Sequence, residues 1–206
     1  MRVVVTGGAG FIGGHLASAF VQSGDETICF DNLTEGREEN CQGATLVVGD
    51  VTDEGSLLRV FGDVEVVVHL AAMRSVARSV EDPVGTDRVN AGGTLRVLEA
   101  ARQRGVRRVI VTSSSSVYGG VAPVPTSEPA RLSPRSPYAA SKVAGEHYAA
   151  VYRHVFGLET VVLRPFNIFG PRQNADSPYS GVISLFIAAA LEGRSPVIFG
   201  DGTQSR

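Results

Sequence analysis

The sequence predicts a doubly wound α/β fold, a parallel sheet with helices on both faces. Three observations carry this expectation. Strand-length apolar runs such as "RVVVTG", "TLVVGD" and "RRVIVTSS" recur along the chain, stretches of helical length separate them, and the first run ends in a glycine-rich turn. Runs that are apolar at consecutive positions suit strands buried on both faces, as parallel strands joined by crossover helices are.

In order, "RVVVTG" is a first strand, and apolar positions Phe11, Ile12, Leu16 and Phe20 give a helix that stops at Gly24. "TICFD" is the second strand, which completes a βαβ unit. "TLVVGD", "VEVVVHLAA" and "RRVIVTSS" are further strands, with "DRVNAGGTLRVLEAARQRG" as a helix between the last two. "GGVAPVPTSEPARLSPRSP" is rich in Pro and Ser and reads as a long surface loop, of a length that is usually functional. A helix starts near Pro137, followed by a strand "ETVVLRP", an irregular segment "NIFGPRQNADSPYSG", a helix "VISLFIAAALEG" and the segment "VIFGDGTQSR".

A chain of 206 residues with 43% apolar content can bury one large core. Its formal charge of -2, without long runs of one sign, gives no indication of nucleic acid or an anionic membrane as a partner. Met1 runs straight into strand sequence without a signal-peptide h-region, and no apolar run reaches the roughly 18 residues of a membrane span. A cytoplasmic location is expected. Cys29 lies in a strand pattern and Cys41 in a polar loop, which is neither a disulfide framework nor metal-ligand spacing, so no metal is expected.

"VVVTGGAGFIGGHL" places Gly7, Gly10 and Gly13 at a strand-to-helix turn. Gly7 would allow the tight turn, Gly10 the approach of a pyrophosphate to the backbone, and Gly13 close packing of helix on strand. Asp31 ends the second strand, near the offset of an acid that hydrogen-bonds an adenosine ribose. This is the Rossmann-type arrangement. An acid at 31 repels a 2'-phosphate, and Asn32 and Leu33 beside it are uncharged, so NAD is favoured over NADP.

Of the 19 Lys+Arg residues, only Lys142 is a lysine, and it stands four residues after Tyr138 in "SPYAASKVAGE". On a helix the two share one face. A tyrosine acting as base near neutrality needs its pKa lowered by about 3, or about 4 kcal/mol. An ammonium about 5 Å away at an effective dielectric of about 20 supplies roughly 3 kcal/mol, and a positive nicotinamide ring supplies more. A compact ammonium can contact both a phenol and a ribose hydroxyl, whereas a planar guanidinium is aimed differently. "VTSSSSVYG" ends the fifth strand, where ligands bind in open α/β sheets, and a serine there can bridge the tyrosine and a reacting oxygen. Position alone does not choose among the serines.

The combination "TGGAGFIGG", "DNLTEG", "GDVTD", "HLAA", "SSSSVYG", "YAASK" and "RPFNIFGPRQ" resembles the extended short-chain dehydrogenase/reductases, and within them the NAD-dependent nucleotide-sugar epimerases and dehydratases, over essentially the whole chain. The resemblance implies a catalytic Ser114, counted back from Tyr118, with Tyr138 as base and Lys142 as its helper. It implies cofactor contacts at Phe11 and Ile12, at Asp31 and Asn32 for the ribose, and at Asp50 and Val51 for the adenine. Leu70, Ala71 and Ala72 would lie on the pyrophosphate side, and Asn90 and Pro165 close by. For substrate it implies Asn167, Val182 and Arg206, the last on the diphosphate. "SVARS" reads either as a sugar-facing loop with Ser75 and Arg78 as candidates or as a solvated helix start.

Dehydratases of this family carry an Asp-Glu pair after the catalytic hydroxyl, as elimination of water needs an acid and a base there. Here Ser115 and Ser116 hold those positions, so the resemblance implies a UDP-sugar 4-epimerase working through a 4-keto sugar. UDP-glucose/UDP-galactose is the first substrate expectation and the uronate pair the second. A different oxidoreductase or dehydratase of the family, or an NAD-binding protein without catalysis, is the competing expectation. Residues 1-166 are expected to form the NAD-binding domain with the catalytic residues, and 167-206 the beginning of a small substrate domain, since family members continue further. A homodimer through helices at about 88-104 and 137-156 is also implied by the resemblance.

Overall fold

The computed structural model describes residues 1-173, 181-198 and 200-202. Among the described residues six parallel strands form one sheet: β1 (Arg2–Thr6), β2 (Glu26–Asp31), β3 (Thr45–Val48), β4 (Val66–His69), β5 (Arg108–Thr112) and β6 (Glu159–Leu163). Their order is β3-β2-β1-β4-β5-β6, so the winding reverses between β1 and β4. In such sheets ligands bind outside the carboxyl ends of the strands at that reversal.

The α-helices among the described residues are α1 (Phe11–Gln22), α2 (Glu54–Val60), α3 (Val76–Glu81), α4 (Pro83–Gln103), α5 (Pro137–Phe156) and α6 (Val182–Leu191). Asp82 caps α4 by accepting from the Gly85 N–H, and Ser136 caps α5 by accepting from the Ala139 N–H. Each is followed by a proline, which lacks the amide that a helix start leaves unpaired. Gly157, at φ 70°, ends α5 in the left-handed conformation that glycine takes without strain. The segment at 75-79 is therefore a helix start, α3, with Ser75 as its cap.

Side-chain alternation along the strands feeds two layers of core. Val4 and Val67 pack with Phe30, Leu57, Phe61, Val97, Leu98 and Val109 against α2, α4 and α5. Val3, Val5, Val66 and Val68 face the other way, toward Leu16 and Phe20 of α1. Each fully buried Val, Leu or Phe contributes about 1.5–3 kcal/mol, so both faces of β1 and β4 must be covered for the sheet to be stable. At the β6 edge Val161, Leu163, Phe166, Ile168 and Phe169 are exposed, as are Leu185, Ile187 and Leu191 of α6. No helix among the described residues is long and apolar enough to cross a membrane.

Candidate active site

β1 ends at Thr6 and the chain turns at Gly7, whose φ is 70°. A Cβ there would also lie 2.8 Å from the Ala71 nitrogen, so the turn and the approach of the β4 loop both require glycine. A Cβ at Gly13 would overlap the Gly7 carbonyl oxygen, which is how closely α1 sits on the turn. Gly10 is the N-cap of α1 and no side chain caps that helix. Its first-turn amides and dipole are thus available to an anion. Phe11 and Ile12, at the start of α1, line a cleft with Phe169 and Pro171.

At the ends of β2 and β3, the buried Asp31 carboxylate accepts from the Ala9 N–H at 3.0 Å and from the Leu33 N–H at 2.8 Å. It therefore ties the glycine turn to the β2 loop, and each oxygen keeps a second acceptor position for a ribose hydroxyl. Asn32 donates to Asp50 at 2.9 Å, and Asp50 also accepts from the Thr52 N–H and hydroxyl. Val51 is buried against Gly93 of α4.

The loop after β4 is held by a buried polar chain that begins beneath it. The Ala71 N–H donates to the Thr6 hydroxyl oxygen at 3.3 Å, and the Thr6 hydroxyl lies 2.7 Å from His69 Nδ1. On the other side His69 Nε2 is 3.0 Å from the Thr94 hydroxyl, which donates to the Asn90 carbonyl at 2.6 Å. Because Thr94 gives its proton away, Nε2 must be a donor, and in the neutral ring that burial favours Nδ1 then accepts from the Thr6 hydroxyl. Burial first, and then the charge of Lys142, push the His69 pKa down to about 3. Leu70 is fixed by its N–H to the Thr6 carbonyl at 3.1 Å, and Ala72 follows, partly buried. Asn90, 2% exposed, accepts from the Met73 N–H at 2.8 Å and donates to both the Met73 carbonyl and the Ser141 hydroxyl at 3.1 Å. Ser141 in turn donates to the Tyr138 carbonyl at 2.8 Å. Asn90 thus fastens the β4 loop to the first turn of α5.

Ser114, whose side chain holds the Tyr138 pKa down against burial, caps the short 3-10 turn after β5 by accepting from the Ser116 N–H at 3.2 Å. Lys142 Nζ lies 5.9 Å from the Tyr138 ring centroid and donates to the Thr112 carbonyl at 2.9 Å. In the protein alone the expected lowering of the phenol is absent. Burial raises the Tyr138 pKa, opposed by the Ser114 hydrogen bond and the charge of Arg74. The same burial brings Lys142 down to about 8. A dehydrated pocket disfavours phenolate and ammonium alike, so the lysine by itself does not outweigh it.

The substrate-side residues are dispersed. Ser75 Oγ accepts from the Arg78 N–H at 3.1 Å, as the cap of α3. Arg78 pairs with Glu35 at 2.7 Å, and Arg74 with the same carboxylate at 3.2 Å. Arg78 is therefore engaged across the crevice with the β2 loop. Pro165 sits beside Ser114, its carbonyl accepting from the Ser115 N–H at 3.0 Å. Asn167 is exposed at the end of β6, and Val182 is exposed at the start of α6. Arg206 lies outside the described residues. His69 and Ser141, inside "HLAA" and "YAASK", and Arg74, directly before "SVARS", join the site without a spacing that marks them in the sequence.

A family model described as "NAD dependent epimerase/dehydratase family" matches residues 3–206. The chain belongs to that family. This epimerase/dehydratase-family chain is 45% identical over 215 residues to a UDP-glucose 4-epimerase of Mycolicibacterium smegmatis, covering 100% of itself and 68% of that protein. Among solved structures it superposes with a TM-score of 0.93 on a UDP-N-acetylglucosamine 4-epimerase of Methanobrevibacter ruminantium in complex with UDP-N-acetylmuramic acid. That match is 41% identical and covers 98% of this chain and 66% of the other. The TM-score is also 0.93 for a UDP-glucose 4-epimerase of Thermotoga maritima with UDP-glucose, at 38% identity, with 98% and 67% covered. The chain thus spans about two thirds of the length of these relatives. The family's cofactor fits the residues present: a glycine cradle that any Cβ would fill, an uncapped helix N-terminus, and an acid at the β2 end with acceptor capacity left.

Proposed function

We propose that this protein is an NAD-dependent nucleotide-sugar 4-epimerase acting on a UDP-hexose, UDP-glucose/UDP-galactose first. The observation that carries the reading is the convergence of Ser114, Tyr138 and Lys142 at the carboxyl end of β5, beside the glycine turn's crevice. The names of the relatives support the substrate class.

Gly7, Gly10, Phe11, Ile12 and Gly13 would hold the pyrophosphate side of the dinucleotide, Asp31, Asn32, Asp50 and Val51 its adenosine, and Leu70, Ala71, Ala72, Asn90 and Pro165 its remaining length. When bound, NAD would supply the acceptor for the C4 hydride and the donor for its return to the opposite face, and its positive ring would favour the phenolate. Tyr138 removes the C4 hydroxyl proton, directly or through Ser114, and gives it back in the second half of the reaction. Ser114 hydrogen-bonds the C4 oxygen and orients it toward the phenol. Lys142 keeps positive charge beneath Tyr138 and turns its donors toward the nicotinamide ribose. Elimination of water is not supported, because Ser115 and Ser116 offer neither an acid nor a base of suitable pKa.

We further read 1-166 as the cofactor domain and 167-206 as part of the substrate domain, with Asn167, Val182 and Arg206 toward the UDP-sugar. The exposed Val84 of α4 and Val151 and Val155 of α5 support a homodimer through those helices, and a cytoplasmic location suits a protein of this chemistry. The test is incubation with NAD and single UDP-sugars while the C4 epimer is followed by NMR. Interconversion with NAD returned unchanged is the expected result. A 4-keto-6-deoxy product, or stoichiometric conversion of NAD to NADH, would sink the proposal.

A further inference from the structure

We propose that Glu146 and Arg164 are a positioning pair that sets the Ser114 hydroxyl against Tyr138, an inference that rests on the epimerase reading for its kinetics but not for its geometry. Glu146 follows Lys142 by one turn of α5 and Tyr138 by two, on the same face of the helix. Its carboxylate is buried at 8% exposure and takes a two-pronged contact from Arg164, Nε to Oε1 at 2.9 Å and Nη2 to Oε2 at 2.6 Å. The buried Ser113 hydroxyl donates to the same Oε1.

Ser113 is the residue before Ser114, so Glu146 grips the chain one residue from the catalytic hydroxyl. The neighbouring backbone is gripped from the other strand, Ser113 N–H to the Leu163 carbonyl at 2.7 Å and Ser115 N–H to the Pro165 carbonyl at 3.0 Å. Arg164 stands between those two acceptors. Its Nη1 donates to the Tyr118 hydroxyl at 2.9 Å and to the Glu128 carbonyl at 2.8 Å, and its guanidinium lies 5.2 Å from the Tyr118 ring centroid. One ion pair therefore joins the helix that carries Tyr138, the turn that carries Ser114, the start of the segment that carries Asn167, and the long loop between Tyr118 and Pro137.

The chemistry suits orientation more than cohesion. A planar guanidinium facing a carboxylate fixes direction as well as distance, while an ion pair of this burial is a weak device for stability compared with apolar packing. Neither side chain contacts Tyr138 or Ser114 directly, so both act through Ser113 and Tyr118.

The test uses the full chain with NAD, comparing wild type with Glu146→Gln, Arg164→Lys and Ser113→Ala. One readout is kinetic and the other is the alkaline ultraviolet titration of Tyr138, isolated by subtracting Tyr138→Phe in each background. For Glu146→Gln and Arg164→Lys, kcat is expected to fall about 10–100-fold, as a misplacement of about 1 Å does, with KM and NAD affinity changed less than about 3-fold. The Tyr138 titration should move to higher pH as the Ser114 hydrogen bond is lost. Ser113→Ala keeps the ion pair and should give the same changes at smaller size, which covers the case in which a charge variant does not fold. A lowered melting temperature with kcat and the Tyr138 titration unchanged would show the pair to be structural only and overturn the proposal. If wild type turns over no UDP-sugar, the epimerase reading fails while the titration still judges the pair.

Discussion

Lys142 Nζ lies 5.9 Å from the Tyr138 ring centroid and is anchored at 2.9 Å by the Thr112 carbonyl, inside a pocket that brings its pKa down to about 8. The anchor and the enclosure suit a small ammonium. Lys142→Arg keeps the charge but cannot place it there, so turnover is expected to fall about 10–100-fold, toward the contribution of general acid-base catalysis, with NAD binding measured by calorimetry retained. Turnover within a factor of about 2 of wild type would remove the special role of lysine.

The same enclosure makes Lys142 a burden on stability in the protein without ligand. Its pKa of about 8 lies below the ordinary 10.5, so between those values the unfolded chain binds more proton than the folded one, and this contribution rises with pH through that window. Below pH 8 the full penalty, roughly 3 kcal/mol, is present. Lys142→Met should therefore raise the stability at pH 7 by about 1–3 kcal/mol, less the loss of the Thr112 contact, while abolishing turnover. Denaturant titration at pH 7 and pH 10 measures it, and the gain should shrink at the higher pH.

His69 acts in the same direction in a lower pH window. With a folded pKa of about 3 against an ordinary 6.5, it stays neutral in the fold while the unfolded chain takes up a proton. Its stabilising contribution is present above pH 6.5 and lost as pH falls toward 3, about 2–3 kcal/mol of it by pH 4.5. Melting temperatures of wild type and His69→Gln from pH 7 to pH 4.5 should converge, and parallel curves would contradict the assignment.

Gly13→Ala drives a methyl group into the Gly7 carbonyl oxygen, which is backbone and cannot rotate away. Separation of α1 from the turn is expected to cost about 1–3 kcal/mol and to weaken NAD binding at least about 10-fold. Calorimetric titration checks the second figure.

Asn90→Ala removes the clamp on Met73 and Ser141 from a position 2% exposed. The orphaned Met73 groups should loosen the β4 loop, at a stability loss of about 1–3 kcal/mol. Hydrogen exchange of residues 70-75 should accelerate relative to that of β1.

The strands and long helices were legible because periodicity, prolines and glycines mark them locally. "RVVVTG" could be read as a strand and Pro137 as a helix start without any knowledge of neighbours. Cys29 and Cys41 illustrate the limit. Far apart in the sequence, in a strand and a polar loop, they are buried in one cluster, which depends on how β2 and the 3-10 turn at Glu38–Cys41 pack. From sequence the segment at 75-79 fits a loop and a helix start alike, because Ser75 can cap or face a ligand with the same hydroxyl.

By itself the sequence determined the doubly wound class, the dinucleotide turn and the pairing of Tyr138 with Lys142, because each follows from local spacing: alternating elements, glycines at a strand end, and residues one helical turn apart. Only the tertiary structure decided the electrostatic balance around them. It half-buried Tyr138 and Lys142 side by side, so that loss of water raises one pKa and lowers the other. It enclosed His69 between Thr6 and Thr94, from two different elements, where burial keeps the ring neutral, and it brought Arg164, just past β6, to Glu146 of α5. Burial and long-range pairing depend on where distant segments meet, and no local spacing encodes that.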